Sequence, residues 1–105
     1  MFFKKRCNHQ RSYKVEADFA DPIWCAECNW NIDIDDLPIS EELKKDFVKW
    51  VVEYQKEMSL LKEQESEHFQ EFVSKHNDEG RRLTERLIRE LGENISITFV
   101  PVSEL

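Results

Sequence analysis

The chain has 105 residues, with 22 acidic residues against 15 lysines and arginines, for a formal net charge of −7. This length predicts a single domain, 1–105, and seven Phe, three Trp and two Tyr exclude a disordered chain. With only two glycines, the chain cannot form a Gly-rich phosphate loop and is a poor candidate for a glycine-rich barrel, so long helices and an α+β fold are favoured.

The front of the chain, residues 1–38, divides by charge. Residues 1–14 contain bases and no acid, whereas residues 15–38 contain seven acids and no base. Within this front, Ser12–Ala17 alternates polar and apolar side chains, which predicts a short, half-buried strand. The rest of the front is predicted to be irregular, with a loop at Asp33–Pro38.

A cysteine and histidine pattern within this front predicts a metal site. Cys7-x-His9 is followed, after fifteen residues, by Cys25-x2-Cys28, and thiolate and imidazole are preferred ligands of zinc. Residue 29 is Asn, which tolerates the positive φ that such a turn requires. The segment 7–28 resembles a zinc-ribbon or zinc-knuckle module, which implies a structural Zn²⁺. A labile Cys25–Cys28 disulfide, or three cysteines without metal, are the alternatives.

The back of the chain, 39–105, is predicted to form two long antiparallel helices and a strand. The first helix begins after Ser40, a natural N-cap. Its apolar residues recur at helical spacing; they are Leu43, Phe47, Trp50, Val51, Tyr54, Met58 and Leu61. The stripe is interrupted by polar residues, which predicts a break near Glu63–Ser66.

A second apolar stripe predicts the second helix. Its members are Phe69, Phe72, Val73, His76, Gly80, Leu83, Leu87, Ile88 and Leu91. Gly80 lies on this stripe, so we expect a continuous helix in which glycine allows another helix to approach closely; a turn at Asn77-Asp78 is the alternative. Gly92 is expected to end the helix, and Ile95–Val100 alternates as a strand that should pair with the Tyr13 strand.

One histidine on the second stripe, His76, is expected to be a satisfied core residue rather than a ligand. The stretches His76–Leu91 with Ile95–Pro101, and Leu37–Leu43, resemble the pattern of small bacterial proteins of unknown function. This resemblance implies a bacterial source and a compact α+β domain, and it implies no activity.

For function, the sequence predicts a small zinc-binding protein-interaction module, such as a regulator, an adaptor or an immunity-type protein. Trp24 and Trp30 bracket the cysteine pair; they either shield the metal or form an exposed contact for a protein partner. The alternative is a nucleic-acid-binding zinc protein that uses the basic start of the chain, which the net charge disfavours. No enzymatic motif is visible, and the longest apolar run, Ile23–Ala26, is too short to span a membrane. Since the start of the chain lacks a secretory signal, the expected location is the cytoplasm.

Overall fold

A computed structural model describes residues 11–60 and 66–102. Its elements, in chain order, are the strands β1 (Ser12–Val15), β2 (Ile23–Cys25) and β3 (Asn31–Ile32), a short 3-10 helix (Ile34–Asp36), the helices α1 (Glu41–Leu60) and α2 (Ser66–Leu91), and the strand β4 (Ser96–Phe99). The predicted α+β class, with two long helices and a C-terminal strand, is confirmed.

The four strands form one sheet in the order β3-β2-β1-β4. Strands β1 and β2 are antiparallel, as are β2 and β3, whereas β4 runs parallel to β1. The predicted pairing of the C-terminal strand with the Tyr13 strand is therefore confirmed, with Tyr13 opposite Ile97. The two ends of the chain thus contribute to the same sheet.

The front of the chain contains two strands, β2 and β3, where the sequence predicts irregular structure. They form a hairpin in which the Cys25 N–H donates to the carbonyl of Trp30 at 2.9 Å. Asn29 has a φ of 64°, as expected for the residue after the cysteine pair, because asparagine tolerates the left-handed region. The fold prediction included short strands in the front, but strands of three and two residues are too short to produce a readable alternation, so the positions of β2 and β3 were not predicted.

Helix α1 begins as predicted, because the Ser40 hydroxyl accepts a hydrogen bond from the Leu43 N–H at 3.1 Å. The apolar stripe faces the sheet and α2, with Leu43 and Phe47 fully buried. Contacts between the helices pair the start of one with the end of the other. Ser40 donates to Glu90, and Arg86 donates to Asp46 at 2.6 Å. The two helices are therefore antiparallel, as predicted.

Helix α2 continues through Gly80, so a turn at Asn77-Asp78 is wrong. The reason for the glycine is close packing by two aromatic rings. A Cβ at this position would lie 2.8 Å from a ring carbon of Trp50 on α1 and 2.6 Å from a ring carbon of Phe99 on β4. The predicted close approach is therefore made by side chains from two different elements.

The second helix ends as predicted, at Gly92, which has a φ of 94° and donates its N–H to the Ile88 carbonyl. The predicted break near Glu63–Ser66 falls on residues outside the described part, apart from Ser66, where α2 begins. No helix in residues 11–60 and 66–102 combines the length and apolar character that crossing a membrane requires.

Candidate partner-binding surface

The loop between β1 and β2 carries an exposed aromatic side chain, Phe19. Its ring is 62% exposed, and no other aromatic residue in the described part is classed as exposed. The loop is ordered by hydrogen bonds. The Glu16 N–H donates to the Pro22 carbonyl at 2.9 Å, and the Asp18 carboxylate accepts from the Phe19 N–H at 2.7 Å. These bonds fix the backbone from which Phe19 projects.

Helix α1 packs against this loop. Gln55 donates to the Asp18 carbonyl at 3.3 Å, and the Tyr54 ring lies 6.0 Å from the Phe19 ring in a tilted arrangement. Burial, together with the negative charges of Asp18 and Glu16, raises the pKa of the Tyr54 hydroxyl above its usual value of 10.0. The loop therefore places negative charge beside the aromatic pair formed by Phe19 and Tyr54.

A groove of about 550 Å³ lies between α1 and the acidic loops next to β3. Two exposed valines on α1, Val48 and Val52, line it. Its charged lining is mixed and comprises Asp21, Asp33, Asp35, Glu41, Lys44, Lys45 and Lys49. The acidic side is built locally: Asp21 accepts from the Ile34 N–H at 3.0 Å, and Asp33 caps the 3-10 helix.

A second cleft, of about 640 Å³, lies between α1 and α2. Trp50, Phe72 and His76 form its aromatic part. Its rim again mixes charges, with Asp46, Glu53, Asp78 and Glu79 against Lys49, Lys75 and Arg82. Neither cleft therefore presents charge of a single sign.

His76 is the most unusual polar side chain of this cleft. It is 5% exposed and stacks on Trp50 with ring centroids 4.3 Å apart, while Trp50 donates its indole N–H to the His76 carbonyl at 2.9 Å. The Nε2 atom of His76 has no hydrogen-bond partner within the described residues. Burial lowers the pKa of His76 from 6.5 to about 4. The predicted core histidine is thus buried, but the expectation that its polar atoms are satisfied is wrong for Nε2.

The four predicted zinc ligands are only partly within the described residues. Cys25 is fully buried on β2, and Cys28 is exposed in the turn that follows. Cys7 and His9 lie outside the described residues, so the convergence of the four side chains stays a prediction. In residues 11–60 and 66–102, no group of three or more His, Cys, Asp or Glu side chains is placed to hold a metal ion.

The two tryptophans, predicted either to shield the metal or to contact a partner, are half-buried. Trp24 lies on β2 opposite Lys14 of β1, on the face of the sheet away from the buried Tyr13. Its indole N–H donates to the Glu16 carbonyl at 3.1 Å, so this side chain borders the loop that carries Phe19. Trp30 lies in the turn between β2 and β3, directly before β3. Their role in binding stays a prediction.

The sequence-based reasoning did not single out Phe19. The apolar alternation of Tyr13, Val15 and Ala17 continues to Phe19, which would place it in the core with the others. However, β1 ends at Val15, and the loop turns Phe19 outward. The signal that could have identified it is its position between two acidic residues, Asp18 and Asp21, in a stretch that contains no base.

Comparison with known proteins gives one family. The family model described as Serratia CdiI immunity protein-like matches residues 11–102, which include all four strands and both helices. No curated protein matches the chain. Because the match spans most of its length, the chain belongs to the Serratia CdiI immunity protein-like family.

Proposed function

We propose that this protein neutralises one toxin by binding it directly and covering a surface that the toxin needs for its activity. The observation that carries the proposal is the family match over residues 11–102. In this proposal the protein acts in the cytoplasm, forms a stoichiometric complex and catalyses no reaction. Independently of the match, the sequence predicts a protein-interaction module, with an immunity-type protein among the candidates beside a regulator and an adaptor.

The charge of the protein supports a partner with a basic surface. The net charge is −7, and the seven acids in residues 15–38 are not offset by any base in that segment. Complementary charge between partners raises the rate of association and suppresses wrong partners. The same negative charge repels phosphate, which makes a protein surface a better partner than nucleic acid.

Growth rescue tests this proposal. Each toxin domain encoded in the source genome is expressed from an inducible promoter, with and without this chain on a second plasmid. We expect one toxin whose growth arrest is relieved, with colony counts restored by at least about 100-fold. That toxin should then form a complex with the purified chain. If every toxin arrests growth equally with and without the chain, the proposal is wrong.

We also propose that Cys7, His9, Cys25 and Cys28 hold one structural zinc. The spacing of the cysteines and the Asn29 turn at a φ of 64° support this. Native mass spectrometry should show one zinc per chain, which chelation removes along with folded structure at the front of the chain. The Cys28→Ser variant should lose the zinc, while Ser74→Ala, an exposed change on α2, should keep it. If the wild-type chain is expressed in zinc-containing medium and is purified folded but with no metal bound, the proposal is wrong.

A further inference from the structure

The exposed aromatic loop identifies which part of the surface meets the toxin. We infer that the β1–β2 loop is the docking site, with Phe19 entering an apolar pocket on the toxin whose rim carries lysine and arginine. This inference rests on the proposed function, since it names the contact surface of the same partner.

The first reason is that Phe19 is held ready for binding while it remains exposed. Large aromatic side chains dominate the binding energy of protein interfaces, and a side chain that is already ordered loses less entropy on binding. The Phe19 N–H donates a hydrogen bond to the Asp18 carboxylate, and the Phe19 ring packs beside the Tyr54 ring. An exposed phenylalanine with this much support is suited to enter a pocket without rearranging the loop.

The second reason is that Tyr54, which supports the loop, is itself anchored in the core. The Tyr54 ring lies 5.5 Å from His76, and His76 stacks on the buried Trp50. A continuous series of aromatic contacts therefore connects Phe19 to the interior. Force applied to the loop by a partner would be resisted by packed side chains, so the loop can act as a rigid contact.

The third reason is charge, which specifies the chemistry of the partner. Glu16, Asp18 and Asp21 flank Phe19 in the sequence of the loop, and burial together with the charges of Asp18 and Glu16 raises the pKa of the neighbouring Tyr54. The nearest base in sequence, Lys14, approaches Glu16 at 3.8 Å. By contrast, both clefts mix acids with lysines, so neither favours a partner of one charge. In the described part of the chain, the loop combines an exposed aromatic side chain with a predominantly acidic surround, although Lys14 approaches Glu16 and Asp21 also borders the mixed groove.

The fourth reason is that the other largely exposed apolar side chains lack this combination. Leu60 is 74% exposed at the end of α1, and Ile88 is 38% exposed on α2. Val48 and Val52 lie beside the lysines of the mixed groove. Leu60, which is at least as exposed as Phe19, therefore serves as the control.

The experiment measures the dissociation constant between the purified chain and the toxin identified by growth rescue. Phe19→Ala is expected to weaken binding at least about 30-fold, as truncation of an interface hot spot does. Leu60→Ala, which removes an apolar side chain that is at least as exposed, is expected to change binding less than about 3-fold. Circular dichroism should show that both variants remain folded.

A second variant tests the charge independently of the ring. Asp18→Asn keeps an oxygen that can accept from the Phe19 N–H but removes the negative charge. It should weaken binding and reduce the dependence of the association rate on salt, whereas Glu93→Gln, an exposed change beyond α2, should affect neither. The salt dependence distinguishes a charge effect from a loss of loop structure.

The outcomes separate this inference from the proposed function. If wild type rescues growth and binds the toxin, but both Phe19→Ala and Asp18→Asn bind as wild type does, the docking site is elsewhere and the function stands. If no toxin is neutralised by the wild-type chain, the proposed function and this inference are both wrong.

Discussion

Replacing Trp50 by alanine is expected to lower the free energy of unfolding by about 3–5 kcal/mol, the range for removing a large aromatic side chain from a core. Trp50 is 2% exposed and joins α1 to two other elements, α2 and β4. Its ring stacks on His76, lies against Gly80 and is tilted towards Phe99 of β4 at 6.1 Å. Because stability of a small domain totals only about 5–15 kcal/mol, this loss should be visible as a large shift in urea midpoint.

Two further variants make the Trp50 prediction specific. Trp50→Phe keeps an aromatic ring and loses the N–H that donates to the His76 carbonyl, so we expect a smaller loss of about 1–2 kcal/mol. Phe19→Ala removes a ring that is 62% exposed and should cost less than about 1 kcal/mol. Unfolding is followed by far-ultraviolet circular dichroism, which does not depend on tryptophan fluorescence. A loss below about 1 kcal/mol for Trp50→Ala would show that this contact is not central to the core.

The second large effect concerns acid stability. Since the pKa of His76 is lowered from 6.5 to about 4 in the folded protein, the unfolded chain binds a proton more readily than the folded chain between these values. The stability contributed by neutral His76 is therefore complete above pH 6.5 and is lost as the pH falls towards 4. Between pH 7 and pH 5 the linkage lowers the free energy of unfolding by about 2 kcal/mol.

Comparison with His76→Phe isolates this contribution. Phenylalanine keeps a flat ring against Trp50 and cannot be protonated, so the fall in stability from pH 7 to pH 5 should be smaller by about 2 kcal/mol than in wild type. The carboxylates at the rim of the cleft are the same in both proteins and therefore drop out of the difference; they are Asp46, Glu53, Asp78 and Glu79. If the free energy of unfolding falls by the same amount from pH 7 to pH 5 in both proteins, the lowered pKa assigned to the buried His76 is wrong.

The helices could be predicted well from the sequence because their signals are local and repeated. The stripe from Leu43 to Tyr54 recurs over several turns, and Ser40 and Gly92 mark ends whose hydrogen bonds depend on the residue type itself. Gly80 was placed correctly on the buried face, but its neighbours could not be known. They are a ring from α1 and a ring from β4, elements that meet only in the folded chain.

The front of the chain was harder to predict because its order comes from contacts between distant residues. Asn31, for example, donates its side-chain N–H to the carbonyl of Asp21 at 2.7 Å, which joins β3 to the β1–β2 loop. Asn77 in α2 similarly binds the backbone of Val102 in both directions and holds the chain after β4. Single polar residues of this kind have no periodic signal that identifies their partners.

The proposed contact surface was predictable in composition but not in position. The acidic segment and the tryptophans indicated a protein partner, yet the aromatic side chain that is exposed among the described residues is Phe19, because β1 ends at Val15 whereas the alternation continues to Phe19. The metal prediction depends on residue types and spacing alone, and two of its four residues, Cys7 and His9, lie outside the described part of the chain. The family match adds the class of partner, which neither composition nor fold specifies.

Titration of the purified toxin with this protein tests the central claim most directly. The toxin's activity and the amount of complex are measured in the same samples as the protein is added. If the protein acts by direct binding, activity should fall in proportion to the complex formed and should vanish near one equivalent. Full toxin activity in a saturated complex, or complete inactivation by a small fraction of one equivalent, would contradict neutralisation by stoichiometric binding.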